Sequence, residues 1–202
     1  MISVIVPFKD EPPDAAAFFE RFASAPETEL LLVDGSEGAR GGCLARVAAG
    51  ARGDMLFFLH ADSRPPENSL EIIRQTLSNG AAAGAFSLAY EDPDRRMRWI
   101  AWWANLRSRW LRLPFGDQGI FCRRDAYLRA GGFRNLPVCD DVDLVRRLRR
   151  EGRFVIRPEV TTTSSRRYRE RGAARQTLRV WRVVGGYYLG VSPERLARWY
   201  YG

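Results

Sequence analysis

Lysine, histidine and cysteine are scarce in this chain of 202 residues. Lys9 is its only lysine and His60 its only histidine. Cys43, Cys122 and Cys139 are scattered, odd in number and form no C-x-x-C pair, which excludes a disulfide framework and a cysteine zinc site. Reduced thiols and a cytoplasmic location are the expectation. Long apolar runs are missing too. The longest stretch without charge, Gln75 to Tyr90, contains Asn, two Ser and two Gly. It falls short of the roughly 20 apolar residues that a spanning helix needs, so no transmembrane segment is expected. The opening MISVIVPF carries no basic leader and no cleavage site, and reads as a strand rather than a signal peptide. Internal repeats and low-complexity linkers are absent.

What is present is an ordinary globular composition, 46% hydrophobic, with a formal net charge of +8. With one lysine, that charge is arginine, whose planar guanidinium binds phosphate and carboxylate in bidentate fashion. A basic surface suits phosphorylated ligands, anionic lipid or nucleic acid. No nucleic-acid motif accompanies it, so no specific nucleic-acid partner is expected.

The first half alternates. Apolar runs at Ile2–Val6, Leu30–Val33 and Met55–Leu59 read as buried strands, the first stopped by Pro7. Between them lie a helix capped by Asp14, with Phe18, Phe19 and Phe22 on one face, and a glycine-rich loop, Gly38–Gly42, leading into a helix over 44–51. A further helix is expected over 66–77. Strand and helix in alternation predict a largely parallel sheet wrapped by helices. The second half predicts strands at 85–90 and 120–122, an extended stretch over 154–163, and helices over 93–113, 123–130, 140–151, 172–189 and 193–200. In the helix over 93–113, Trp99, Trp103, Leu106 and Trp110 share a stripe. The helix either packs on the sheet with its arginines in water, or meets a membrane surface with that stripe. The simplest division is one α/β domain, 1–164, with a helical appendage, 165–202.

Ligands of open parallel sheets sit beyond the carboxyl ends of the strands. There the first strand leads to Lys9-Asp10-Glu11, the second to Asp34-Gly35-Ser36 and the third to His60-Ala61-Asp62. Carboxylates repeated at one edge need a ligand, a metal or donors. Asp62 could hold Mg²⁺ or Mn²⁺, which bind oxygen ligands and share them with substrate phosphates. Gly116-Asp117-Gln118-Gly119 is either a tight turn or a loop lining the cleft. Asp140, Asp141 and Asp143 open a helix, where acids complement the macrodipole. Three acids within four positions exceed that need, so one could serve as a general base.

The segments ISVIVP, VDGS, FFLHADS, FGDQGIF and CDDVDLVRRLRREGR occur in that order. Together they resemble family 2 glycosyltransferases, the inverting, nucleotide-sugar-dependent type, and most of all a small bacterial subgroup with HAD, GDQ and E-D-V-D-L type motifs. The stretches TTTSSRRYRERG and GVSPERLARWY resemble that subgroup as well. The resemblance implies a Rossmann-like glycosyltransferase A-type fold. It implies nucleotide-sugar contacts at Pro7, Asp10, Glu11, Asp34, Gly35, Arg40 and Ala61, and a divalent cation at Asp62 with His60 in the place of the first acid of a D-x-D. It puts Gly116, Asp117 and Gln118 beside the acceptor, makes Asp141 the catalytic base and gives Asp140 the place of the family's Glu. The implied donor is a nucleoside-diphosphate sugar, a UDP-sugar foremost, and the acceptor an unidentified hydroxyl. Two other readings stay open. The short span from Asp34 to Asp62 motivates a non-catalytic nucleotide-sugar binder. Tryptophan among arginines motivates an interfacial transferase with a lipid-linked acceptor, in peripheral contact with the inner face of a membrane.

Overall fold

The period of two in the first strands decides how the molecule is layered. In the computed structural model, Ile2, Val4 and Val6 of β1 (Ile2–Phe8) point into one buried cluster and Ile5 into another. In β3 (Met55–Phe58), Phe57 joins the first of these clusters and Leu56 and Phe58 the second. Both faces are apolar because helices cover both faces. The structure describes residues 1–8, 16–35, 38–92 and 94–202, with the backbone alone for 16–19. Asp10, Glu11, the cap expected at Asp14 and the side chains of Phe18 and Phe19 therefore lie outside the described residues.

The remaining strands are β2 (Thr28–Asp34), β4 (Ser63–Arg64), β5 (Ala83–Tyr90), β6 (Ile120–Arg123) and β7 (Phe154–Thr163). The sheet order is β2-β1-β3-β6-β5-β7-β4. β1 pairs in parallel with β2 and β3, and β5 with β7, whereas β6 is antiparallel to both its neighbours and β4 is antiparallel to β7. β2, β1, β3, β5 and β7 thus run one way and only β6 and β4 oppose them, a mostly parallel sheet. The helices are α1 (Ala16–Ala23), α2 (Arg40–Gly50), α3 (Ser69–Ser78), α4 (Arg95–Leu111), α5 (Arg124–Arg129), α6 (Asp140–Leu148), α7 (Arg166–Arg171), α8 (Ala173–Tyr188) and α9 (Pro193–Tyr201). Phe22 of α1 and Ile72, Ile73 and Leu77 of α3 pack on one face of the sheet. Leu44 of α2, Leu144, Val145 and Leu148 of α6, Val183 and Val184 of α8 and Leu196 of α9 share the cluster on the other.

Several local expectations change in the folded chain. Pro7 does not end β1, which runs on to Phe8 opposite Asp34. Odd-numbered residues of β1 turn their backbone groups toward β3, as the bond from Leu59 N–H to Ile5 C=O shows. By position 7, β3 has ended, so the missing proline N–H falls where the ladder has no partner. The tryptophan stripe of α4 does not pack on the sheet. Its buried side is Met97, Ile100, Ala101 and Ser108, and Trp99, Trp102, Trp103 and Trp110 face outward. Asn105 anchors the helix by accepting a hydrogen bond from Leu88 N–H (2.7 Å) and donating one to Leu88 C=O (2.9 Å). β6 reaches β5 only at residues 83–85, so this amide stands where a strand would otherwise pair.

The glycine-rich loop is shorter than expected because Arg40, Gly41 and Gly42 form the first turn of α2. Gly41 lies directly against the next crossing segment, where a Cβ would collide with the Arg134 carbonyl oxygen and reach 3.0 Å from Asp140 Cβ. The obstacle is backbone, so it cannot swing aside. Gly41→Ala is expected to lower unfolding stability by about 1–3 kcal/mol in urea titration; an unchanged midpoint would show that α2 and α6 are not held this tightly.

Candidate active site

Because five strands run together, their carboxyl ends share one rim of the sheet. Asp34 ends β2, and His60, Ala61 and Asp62 follow β3. Gly116–Gln118, a single 3-10 turn, precedes the antiparallel β6 and so reaches the same rim. Asp34, exposed at the end of β2, lies two strands from β3, about 10 Å across the sheet. Gly35 stays close to β1, donating its N–H to Phe8 C=O at 2.8 Å.

A narrow cleft opens on this rim. Pro7, Arg40, His60, Gly116, Asp140 and Asp141 contribute to its walls, with Phe58 and Phe133 among its apolar lining. Arg40 grips Asp140 in a fork, Nε to Oδ2 at 2.9 Å and Nη2 to Oδ1 at 2.6 Å. Its Nη1 lies 3.0 Å from His60 Nε2, and its Nη2 lies 3.8 Å from Asp141 Oδ2. Arginine only donates, so His60 Nε2 is the accepting nitrogen and the ring proton sits on Nδ1. Burial, then the charges of Arg40 and Arg167, hold the His60 pKa down to about 4 against the pull of Asp62. The imidazole is neutral and gives its lone pair to Arg40.

The three acids at the start of α6 have different surroundings. Asp140 is buried, with 2% of its side chain exposed, and is fully engaged by Arg40. Asp143 is also buried, bonded to Arg147 at 2.6 and 2.9 Å and to the Tyr187 hydroxyl at 2.7 Å, which ties α6 to α8. Asp141 is the most open of the three, with 15% of its side chain exposed. Its Oδ2 accepts from Gly116 N–H at 2.7 Å and its Oδ1 from Val142 N–H at 2.8 Å. The residue before the acids, Cys139, has φ 60, a left-handed value rare outside glycine. Gly116 is held without a side chain because a Cβ there would come within 2.5 Å of His60 Nε2 and 3.2 Å of Asp141 Oδ2.

Asp117 and Gln118 part company. Gln118 is wholly interior: its Oε1 accepts from Ser108 Oγ at 2.7 Å and its Nε2 donates to Phe86 C=O at 2.8 Å. It fixes the turn and offers no surface to an acceptor. Asp117 stays at the rim beside residues that sequence reasoning missed. Arg107 lies 3.5 Å over the Phe115 ring, and Tyr90 contacts Tyr168 with ring centroids 5.3 Å apart. Burial raises the Asp117 pKa to about 6; Arg107 opposes this, and Asp141 and Asp62 add to it. Tyr168 belongs to the SSRRYRE stretch, a sequence signal that came without a role.

Asp62 is exposed on the turn between β3 and β4. Among the described residues, no group of three or more His, Cys, Asp or Glu side chains could hold a metal ion. Among the described residues, the rim offers no all-protein cage. A single exposed carboxylate fits a cation held chiefly by the phosphates of a substrate.

No protein-family model and no curated protein matches the sequence. Solved structures do match the fold. Mannosyltransferase PcManGT from Pyrobaculum calidifontis, in complex with GDP-Man and Mn²⁺, is 17% identical with a TM-score of 0.59, over 90% of this chain and 60% of its own. S. aureus TarS 1-349 is 12% identical with a TM-score of 0.62, over 81% and 60%. Mannosyl-3-phosphoglycerate synthase from Rubrobacter xylanophilus is 13% identical with a TM-score of 0.52, over 95% and 75%. The architecture is that of the GT-A glycosyltransferases. The chain spans three-fifths of the length of the first two of these neighbours.

The displaced pKa of Asp117 has a consequence for stability. In an unfolded chain Asp ionises near 3.9; here it waits until about 6. Between those values the unfolded chain has released a proton that the folded one retains. Stability therefore falls as pH rises through this window, and the deficit is complete above it. Asp117→Asn should raise stability by on the order of 1 kcal/mol near pH 8 and leave it unchanged near pH 3, measured by urea titration. Equal gains at both values would contradict the assignment.

Proposed function

We propose that the rim cleft transfers a sugar from a nucleoside-diphosphate sugar, a UDP-sugar foremost, to an acceptor hydroxyl with inversion. The observation that carries this reading is the Asp141 carboxylate, fixed by the Gly116 and Val142 amides and still open to the cleft. The neighbour that holds GDP-Man and Mn²⁺ on the same fold supports the donor class and a divalent cation.

In this mechanism Asp141 takes the proton of the acceptor hydroxyl. The oxygen attacks the anomeric carbon in line, a new C–O bond forms, and the bond to the diphosphate breaks with its electron pair leaving on the phosphate oxygen. One displacement inverts the centre and needs no enzyme nucleophile. Arg40, held by Asp140 and His60, lies beside Asp141 as a fixed positive charge for the departing diphosphate. Mg²⁺ or Mn²⁺, when bound at Asp62, would offset the same developing charge. Asp34 and Gly35 would meet the nucleoside together with Asp10 and Glu11, Pro7 and Ala61 would line its passage, and Asp117 would border the acceptor.

Asp141→Asn should keep nucleoside-diphosphate affinity within about twofold by calorimetry while lowering sugar transfer by about 10²–10⁴-fold. A protein that binds donors but never transfers, with or without Asp141, would instead be a non-catalytic binder. Asp62→Ala should abolish the gain in nucleotide affinity that Mn²⁺ brings. Weak binding to every nucleotide, indifferent to metal, would remove the donor assignment altogether.

A further inference from the structure

We propose that the outward face of α4 seats the protein on an anionic lipid surface. A helix on a sheet ordinarily turns its apolar side inward and a polar side outward. α4 has two apolar sides. Met97, Ile100, Ala101 and Ser108 meet the sheet. On the opposite side, at about 100° per residue, positions 99, 103, 106 and 110 fall on one line with 102 beside it. Trp99, Trp102, Trp103 and Trp110 are 59%, 56%, 44% and 81% exposed. Three of them form a continuous patch, because Trp103 makes edge-to-face contacts with Trp99 and Trp102 at 5.8 and 5.1 Å, and Trp110 stands on the same line further along the helix. Three clustered indoles and a fourth on the same side are unusual for a surface that meets only solvent.

The charges around the patch identify what covers it. Exposed Arg95, Arg98 and Arg109 flank the tryptophans on one side and Arg96 on the other, and the helix sequence RRMRWIAWWANLRSRWL holds no carboxylate. Indole rings sit at the level of lipid headgroups while guanidinium groups reach anionic phosphates, the arrangement of helices that lie in a membrane plane. A second copy of the chain is a poorer occupant, since a twofold interface would press this all-basic face against itself. Single-stranded nucleic acid is poorer too, since it is held in a groove that follows its backbone, and a helix surface is convex. No helix among the described residues is long and apolar enough to cross a membrane, and the contact proposed for α4 is one made along the helix surface. Only Arg112–Phe115 separate α4 from Gly116 in the cleft.

The test is co-sedimentation of the whole chain with vesicles of phosphatidylcholine alone and of phosphatidylcholine with phosphatidylglycerol, at low and high salt. Binding to the anionic vesicles at least about tenfold tighter than to the neutral ones, weakened by salt, is expected, with a blue shift of tryptophan emission. The triple variant Trp99→Ser, Trp103→Ser, Trp110→Ser should lose at least about tenfold in partitioning while keeping its melting temperature and nucleotide affinity. The idea is overturned by absence of binding to anionic vesicles at low salt, or by binding that the triple variant retains. It is equally overturned by a dimer, or by oligonucleotide binding, that the triple variant loses in place of vesicle binding. Vesicle binding and sugar transfer are separate measurements, so either can fail without the other.

Discussion

The cleft is organised around the part-buried pairing of Arg40 with Asp140, two residues 100 positions apart in the chain. Burying a carboxylate whose side chain is only 2% exposed is costly without a partner, and Arg40, itself 35% exposed, supplies one. Replacing both members with apolar groups is often neutral or better. The pair therefore contributes geometry more than stability. Two of the three guanidinium nitrogens hold Asp140, the remaining one meets the lone pair of His60, and the charge lies within 4 Å of Asp141. Gly41 brings α2 and α6 close enough for this, and the left-handed Cys139 sits where the chain turns into the acids.

Much of the fold was legible because the signals were local. Apolar runs at Ile2–Val6, Leu30–Val33 and Met55–Leu59, with acids just past each, located three parallel strands and the rim that carries Asp34 and Asp62. Spacing could not sort the acids of α6, since Asp140, Asp141 and Asp143 look alike in a sequence. Their partners decide: Arg40 for the first, the Gly116 amide for the second, Arg147 and Tyr187 for the third. The burial of Gln118 was illegible for the same reason, since a polar residue in a polar turn is held inside by Ser108 and Phe86 elsewhere in the chain. Tyr90, Arg107 and Tyr168 were missed because they come together from three separate elements. The stripe on α4 was visible, but its direction was not, because a second apolar side composed of smaller residues competes for the sheet.

The C-terminal helices belong to the main body as much as they append to it. Val183, Val184 and Leu196 sit in the same buried cluster as Leu144 and Phe58, and Tyr201 reaches back to donate to Pro137 C=O at 3.4 Å. Arg167 of α7 acts electrostatically on both His60 and Asp117. Helices after residue 165 therefore influence the charge balance of a cleft built from strands that begin at residue 2.

Asn105 has an effect beyond anchoring α4. A strand whose backbone groups are left open on one side invites a strand from another molecule to zip onto it. At Leu88 both the donor and the acceptor are already taken by one side-chain amide. The helix thus supplies, with a single residue, the last rung of a ladder that β6 leaves unfinished, and closes that stretch of β5 to self-templated growth.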